Sequence, residues 1–332
     1  MLSRKCFLAA SSLSAMAISG VLSIGEGADA QTYPTRHVMM IVPYPAGGPS
    51  DAIGRIMAEG LRSSLGQPLI VENVGGASGS LGTGRVARAA PDGYTVGLGL
   101  WPTHVVNGAV FSLPYHVFSD FEPIGLIATN PLLIVGRNSL PADNLNAFIA
   151  WLKANPDKAT AATGGVGGAS HVAGVYLQQK TKAAFRFVNY RGLGPAMQDL
   201  IAGHIDFALD YPANSLPQVR AGSIKAFAVT APARLPTAAD IPTVDEAGLP
   251  GFYMSAWHAF FAPKGTPKDV IATLNHALVN ALADQTVRQR LTALGQEIYP
   301  REQQSPEALA AFHKAEIDKW WPLLKAAGVK HE

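Results

Sequence analysis

The chain has a single cysteine in 332 residues, Cys6, and it sits near the start. Around it Arg4 and Lys5 precede an apolar, serine-rich run from Cys6 to Ile24, followed by Ala28-Asp29-Ala30. That order of basic, apolar and small-residue segments is the pattern of a secretory signal, with cleavage expected after Ala30. Cys6 lies too early to become an acylated residue, and its removal leaves no thiol. Disulfides, thiolate metal sites and a cysteine nucleophile are therefore excluded from the remaining chain. No later apolar run reaches the ~18 residues needed to span a bilayer. Long runs of one charge are missing as well. The net charge is +2, and cutting at Ala30 removes Arg4 and Lys5 against Glu26 and Asp29, so it stays there. This balance argues against nucleic acid and against a polybasic membrane patch.

Catalytic signatures are scarce too. Walker A and G-x-S-x-G patterns are absent. Gly82-Thr83-Gly84-Arg85-Val86-Ala87 fits a dinucleotide fingerprint, but a long glycine run separates it from the preceding strand, and no acidic ribose partner follows about twenty residues on. It reads as a structural turn. The nine histidines never fall in H-E-x-x-H or a similar ligand spacing, so no metal is expected. Ser170 and His171 are adjacent, and neighbours on a helix point about 100° apart, so they cannot act on each other. No catalytic residue, cofactor or metal is assigned.

What is present is an alternation of short apolar runs with helical patterns, the mark of an α/β chain long enough for two domains of roughly 100–200 residues. The run from His37 to Val42 enters Pro43-Tyr44-Pro45-Ala46-Gly47-Gly48-Pro49-Ser50-Asp51. An amphipathic segment with Ile53, Ile56, Met57 and Leu61 on one face then leaves it. A strand, a glycine loop and a helix N-terminus make either an anion seat or simply a tight turn, because first-turn N–H groups lack partners and carry partial positive charge. A second such loop, Thr163 to His171, lies between another strand and helix. Two loops of this kind, at the carboxyl ends of strands in different domains, describe a cleft that could hold an anion at both ends. Thr103, Tyr190 and Asp210 fall at strand ends as well. His104 and His171 read equally as cleft or turn residues, and Asp210 as a ligand acceptor or a structural carboxylate. Arg191 is either a carboxylate partner or an ordinary surface charge. Strands are expected at 68–74, 95–100, 121–127, 132–135, 185–190, 205–209, 226–230 and 255–262, with a polar turn at Trp101-Pro102-Thr103-His104. Helices are expected over 85–90, from Asp143 or Asn144 to 155, over 195–202, from Pro267, and over 305–327. A crossover between domains is expected near Asn130-Pro131.

The chain resembles the substrate-binding proteins of tripartite tricarboxylate transporters, the Bug (TctC-like) family, from about Tyr33 to Val329. The resemblance is carried by the Pro43–Asp51 loop, Val71-Glu72-Asn73 with its glycine run, Pro91-Asp92-Gly93-Tyr94-Thr95 and Tyr190-Arg191-Gly192. Pro242 to Gly248 and Ala262 to Pro267 extend it. It implies a two-domain, periplasmic-binding-protein-like (Venus flytrap) α/β fold with the ligand cleft between domain 1 (31–130 plus 254–332) and domain 2 (131–253). It also implies a monomeric, non-catalytic periplasmic protein that captures a small carboxylate and hands it to the membrane components of such a transporter. The ligand set it points to is Tyr44, Ala46, Gly47, Gly48, Ser50, Thr103, His104, Gly168, Ala169, Ser170, His171, Tyr190 and Asp210. Trp101 and Tyr211 place rings where the family usually has smaller residues, and rings there could stack on an aromatic carboxylate or merely fill space. Tyr44 stands where phenylalanine is common, and the second loop is richer in glycine than usual. Rival readings are a ligand sensor for a periplasmic signalling partner and a secreted serine hydrolase built on Ser170 or Ser78.

Overall fold

Five apolar residues without polar alternation suit a strand covered on both faces, and Val38–Val42 forms such a strand, β1. Helix α1, Pro49–Leu65, starts with proline in its first turn and ends where Gly66 (φ 66°) donates its N–H to Arg62. It presses close to β1: a Cβ on Gly54 would lie 2.8 Å from Val42 Cγ2. The computed structural model describes residues 33–156, 158–190 and 192–329. The signal segment with Cys6, and Arg191, lie outside the described residues.

The chain continues through β2 (Leu69–Asn73), α2 (Ser80–Ala87) and β3 (Thr95–Leu100). A π-helical turn, Pro102–Val106, then runs into α3 (Asn107–Val110). Next come β4 (Phe121–Pro131), β5 (Leu133–Arg137), α4 (Leu145–Ala154), β6 (Thr160–Thr163), α5 (Ala169–Thr181), β7 (Arg186–Asn189) and α6 (Leu193–Ala202). The remainder is β8 (Phe207–Asp210), α7 (Pro212–Arg220), β9 (Ile224–Val229), β10 (Ser255–Pro263), α8 (Lys268–Ala283), α9 (Gln285–Ala293), β11 (Glu297–Ile298) and α10 (Pro306–Ala326).

Two mixed sheets result. The first has strand order β11-β4-β10-β3-β1-β2 and the second β7-β6-β8-β5-β9. β1 runs parallel to β2 and β3, and β6 parallel to β7 and β8, so the carboxyl ends of these strands gather on one edge of each sheet. Helices α1, α2, α8, α9 and α10 pack on the first sheet, and α4 to α7 on the second. Each sheet with its helices is called a lobe below. Only Leu132 separates β4 from β5, and the chain returns between Thr230 and Met254. At this junction Leu132 N–H bonds to the Thr230 hydroxyl (3.0 Å), and Met254 N–H to the Thr230 carbonyl (3.0 Å). The two passages between the sheets are therefore tied directly to each other.

Several elements depart from the sequence-based expectation. Trp101 to Val110 is helical, not a polar turn, because Pro102 is tolerated in a first turn and Trp101, Val105 and Val106 all find core contacts. Helix α2 starts at Ser80, so glycines expected in a loop lie inside it. A Cβ on Gly82 would meet the Val74 carbonyl at 2.6 Å, and the small residue is what lets the helix sit there. Helices α7 and α9 have short, mostly polar sequences whose apolar period is too weak to read. α9 buries only Val287 and Leu291.

Candidate functional site

Both glycine loops end at helix starts that no side chain caps. The residue before α1 is Gly48 and that before α5 is Gly168, and neither helix receives a side-chain hydrogen bond at its N-cap. Such a terminus offers first-turn N–H groups and the positive end of the helix dipole to an anion. The second loop opens on a cavity of about 280 Å³. Gly164, Gly165, Val166, Gly167 and Gly168 form one wall of it. Tyr44, Ser78, Pro102, Val106, Asn107, Val110 and Phe111 of the first lobe form the other, and Val329 closes one side. Among the described residues its wall holds no charged side chain, so a bound carboxylate would be neutralised by backbone dipoles and hydroxyls.

Internal hydrogen bonds set the loop geometry. Ser170 Oγ accepts from Gly164 N–H (3.0 Å), and His171 Nδ1 accepts from Gly167 N–H (3.3 Å). Gly165 (φ 129°) and Gly167 (φ 77°) hold backbone conformations that side chains disfavour. Opposite them, Ala77, Ser78 and Gly79 form a run of positive φ (46°, 53° and 87°). Asn107 Nδ2 fixes that run by donating to the Ser78 carbonyl (2.9 Å) and Ser80 Oγ (3.1 Å). The Tyr44 hydroxyl reaches the same carbonyl at 3.4 Å, and burial pushes its pKa up to about 12, so it stays a neutral donor.

Several expected ligand residues are placed otherwise. Gly47 N–H is already given to Asp51 Oδ2 (2.9 Å), a carboxylate held below its usual pKa first by the Arg55 hydrogen bond and then by Gly47 itself. That donor is therefore not open to a ligand. Trp101 is completely buried, edge-on to Trp320 with centroids 5.4 Å apart, so its ring belongs to the core and does not line the cavity. Thr103 is equally buried, bonding its own turn at Leu100 and His104 Nδ1 (3.0 Å). His104 stacks on Phe261 (4.3 Å), and burial holds its pKa well below the usual histidine value.

Asp210 is saturated from within. It accepts from Tyr211 N–H (2.8 Å), Asn214 Nδ2 (2.7 Å) and Ser215 Oγ (2.6 Å), which makes it the organiser of the first turn of α7. Burial nonetheless raises its pKa to about 6. Tyr190 gives its hydroxyl to Asp199 (2.6 Å). His171 faces an adjoining hollow of about 500 Å³ beside Phe187, which shares Val166 and Val329 with the cavity.

What remains near the cavity is Tyr44, Gly168 and the α5 terminus of Ala169 and Ser170. Ala46 is exposed and Ser50 half-buried on the first loop. Tyr211 is half-buried and is not among the residues that line the cavity; its hydroxyl pKa is raised, by burial first and then by Asp210. Asn107, Val110, Phe111 and Val329 are not among the expected ligand residues, and Ser78 enters the expectations only through the rival hydrolase reading. The glycine run after β2 was the available signal for Ser78. Asn107 has none, because it lies beyond the Trp101–His104 turn in a stretch whose pattern marks no element.

The family model described as tripartite tricarboxylate transporter family receptor matches residues 53–329. The chain belongs to this family. It is 34% identical to the protein BugT of Bordetella pertussis over 92% of this chain and 94% of that one. Among solved structures, the periplasmic binding protein BugD is 40% identical with a TM-score of 0.73, covering 90% of this chain and all of that one. MatC of Rhodopseudomonas palustris, solved with bound malate, is 38% identical with a TM-score of 0.73, over 88% of this chain and all of its own. The fold is thus that of a periplasmic binding protein, and a relative of similar length holds a small carboxylate. Among the described residues no helix is long and apolar enough to cross a membrane, and no three potential metal ligands cluster.

Proposed function

We propose that this family member is a non-catalytic extracytoplasmic binding protein that captures a small carboxylate between its lobes. The observation that carries the reading is the uncharged cavity of about 280 Å³ bounded by the Gly164–Gly168 loop and by Tyr44, Ser78 and Asn107. Its donors are backbone N–H groups at the start of α5, supported by Ser170, with Ala46, Gly48, Ser50 and Tyr211 completing the enclosure as the domains 31–130 plus 254–332 and 131–253 close. A ligand touching both domains favours the closed arrangement by its differential affinity, and the membrane components of a tripartite transporter then read that state. The protein acts in the periplasm as a monomer after cleavage behind Ala30. A dicarboxylate and an aromatic carboxylate both suit the donor set. With Trp101 in the core, ring stacking on a ligand falls to Tyr44 and Tyr211.

A thermal-shift titration against succinate, malate, citrate, glutamate, nicotinate, benzoate and terephthalate tests this. A ligand at 100 times its Kd adds about 2.7 kcal/mol to the folded state, well within detection. A shift confined to one carboxylate class supports the reading, and the absence of any shift removes it.

A further inference from the structure

A larger hollow, about 770 Å³, lies away from the carboxylate cavity and shares no lining residue with it. It is a trough between α7 of the second lobe and α9 of the first. Leu216, Ala213 and Pro217 give it an apolar floor from one side, and Ala283 and Ala293 from the other. Arg220 and Arg288 stand on opposite walls. Each spends one guanidinium nitrogen on a backbone carbonyl, Arg220 on Thr237 (2.6 Å) and Arg288 on Leu282 (3.1 Å). The nearby Arg234 and Arg290 are instead paired with Glu246 and Glu59. Among the described residues neither trough arginine has a carboxylate partner, so both keep N–H groups for an incoming anion. The trough continues into a hollow of about 350 Å³ that shares Arg288 and Thr237 and is also lined by Glu297, a carboxylate with no ion pair among the described residues.

The shape suits a chain segment better than a small solute. Two nine-residue helices give walls roughly 13 Å long at 1.5 Å per residue, enough for more than two turns of a third helix. Apolar contact along the floor with arginines at the sides matches an amphipathic helix whose polar face is acidic. We propose that the α7–α9 trough docks an acidic amphipathic segment of a partner protein. The walls belong to different lobes, so a seated segment is sensitive to the spacing of those lobes.

The test uses the full chain and a fluorescent synthetic amphipathic peptide of about 15 residues, long enough to form helix on binding, with leucines on one face and glutamates on the other. A matched peptide carries lysines in place of glutamates. The acidic peptide is expected to bind and to weaken as salt rises. The double variant Arg220→Glu/Arg288→Glu should lose about tenfold or more in affinity, since like charges then face each other. The basic peptide should not bind the wild-type protein. Should the double variant fail to fold, Gln289→Glu places one negative charge on the α9 rim with both arginines intact and should weaken the acidic peptide severalfold. Equal binding of both peptides, no binding of the acidic one at about 1 mM (a level that detects even −4 kcal/mol), or full affinity in the variants overturns the proposal. Carboxylate titrations report on the other cavity and are unaffected by any of these outcomes.

Discussion

The hydroxyl of Thr230 lies 2.6 Å from the carbonyl oxygen of Met254, at the junction between the two lobes. The same hydroxyl is 3.0 Å from both the N–H and the carbonyl of Leu132 on the other crossing strand. One buried side chain thus braces both passages of the chain between the sheets, at the place about which the lobes would turn.

Thr230→Val keeps the shape and removes the hydroxyl. It leaves the Leu132 N–H and the Met254 carbonyl with only their long bond to each other (3.4 Å), which costs about 1 kcal/mol of stability. Denaturant unfolding followed by circular dichroism measures the loss. An unchanged midpoint would mean that the backbone bonds alone hold the junction.

Ser170→Ala releases Gly164 N–H from the loop that faces the cavity. Losing one neutral hydrogen bond is worth about 1 kcal/mol, so affinity for the bound carboxylate should fall about fivefold while the protein stays folded. Calorimetric titration of wild type and variant reads this directly, and identical Kd values would remove Ser170 from the site.

Asn107→Ala frees the positive-φ run at Ala77 to Gly79 from its tether. The variant should bind carboxylate about tenfold less well and exchange the amide protons of this loop faster, because strained backbone persists only where its surroundings hold it. Hydrogen exchange that stays as slow as in wild type would show that the tether is dispensable.

The pH profile separates two opposing sets of buried groups. Burial lowers His258 and His313 to about 4, so both fold neutral. Their contribution is fully present above the unfolded value near 6.5 and is lost as pH falls towards 4, on the order of 2–3 kcal/mol each. Asp210, raised by burial to about 6, works the other way: its contribution is complete below about 4 and is lost as pH rises through 6. Burial also lowers His104 and His171 and raises Glu297 and Glu316; the lowered histidines outnumber the raised carboxylates, so stability should fall on acidification from pH 6.5 to 4. The fall should be steeper in Asp210→Asn, which lacks the opposing group. Urea titrations at a series of pH values decide it, and parallel curves for wild type and variant would contradict the assignment to Asp210.

Periodicity and loop chemistry were enough to read the α/β class, the strand-loop-helix units at Pro43–Asp51 and Thr163–His171, and the crossover near Pro131. These are local signals: an apolar run, a glycine pair and a helix face lie within ten residues of one another. The order of motifs along the chain carried the family as well. What tertiary structure alone decided is which of the marked side chains meet solvent. Trp101, Thr103 and His104 follow a strand end just as cleft residues would, yet a π-helical turn folds them into the core against Trp320 and Phe261. Gly47 looks like an open donor until Asp51, four residues on, takes its N–H. Ser78 and Asn107, 29 residues apart, come together only because α2 packs tightly enough on Val74 and Pro43 to bring its loop over α3. Local sequence specifies backbone shape through short-range sterics and hydrogen bonding. Burial and donor availability depend on contacts between distant segments, which only the folded chain brings together.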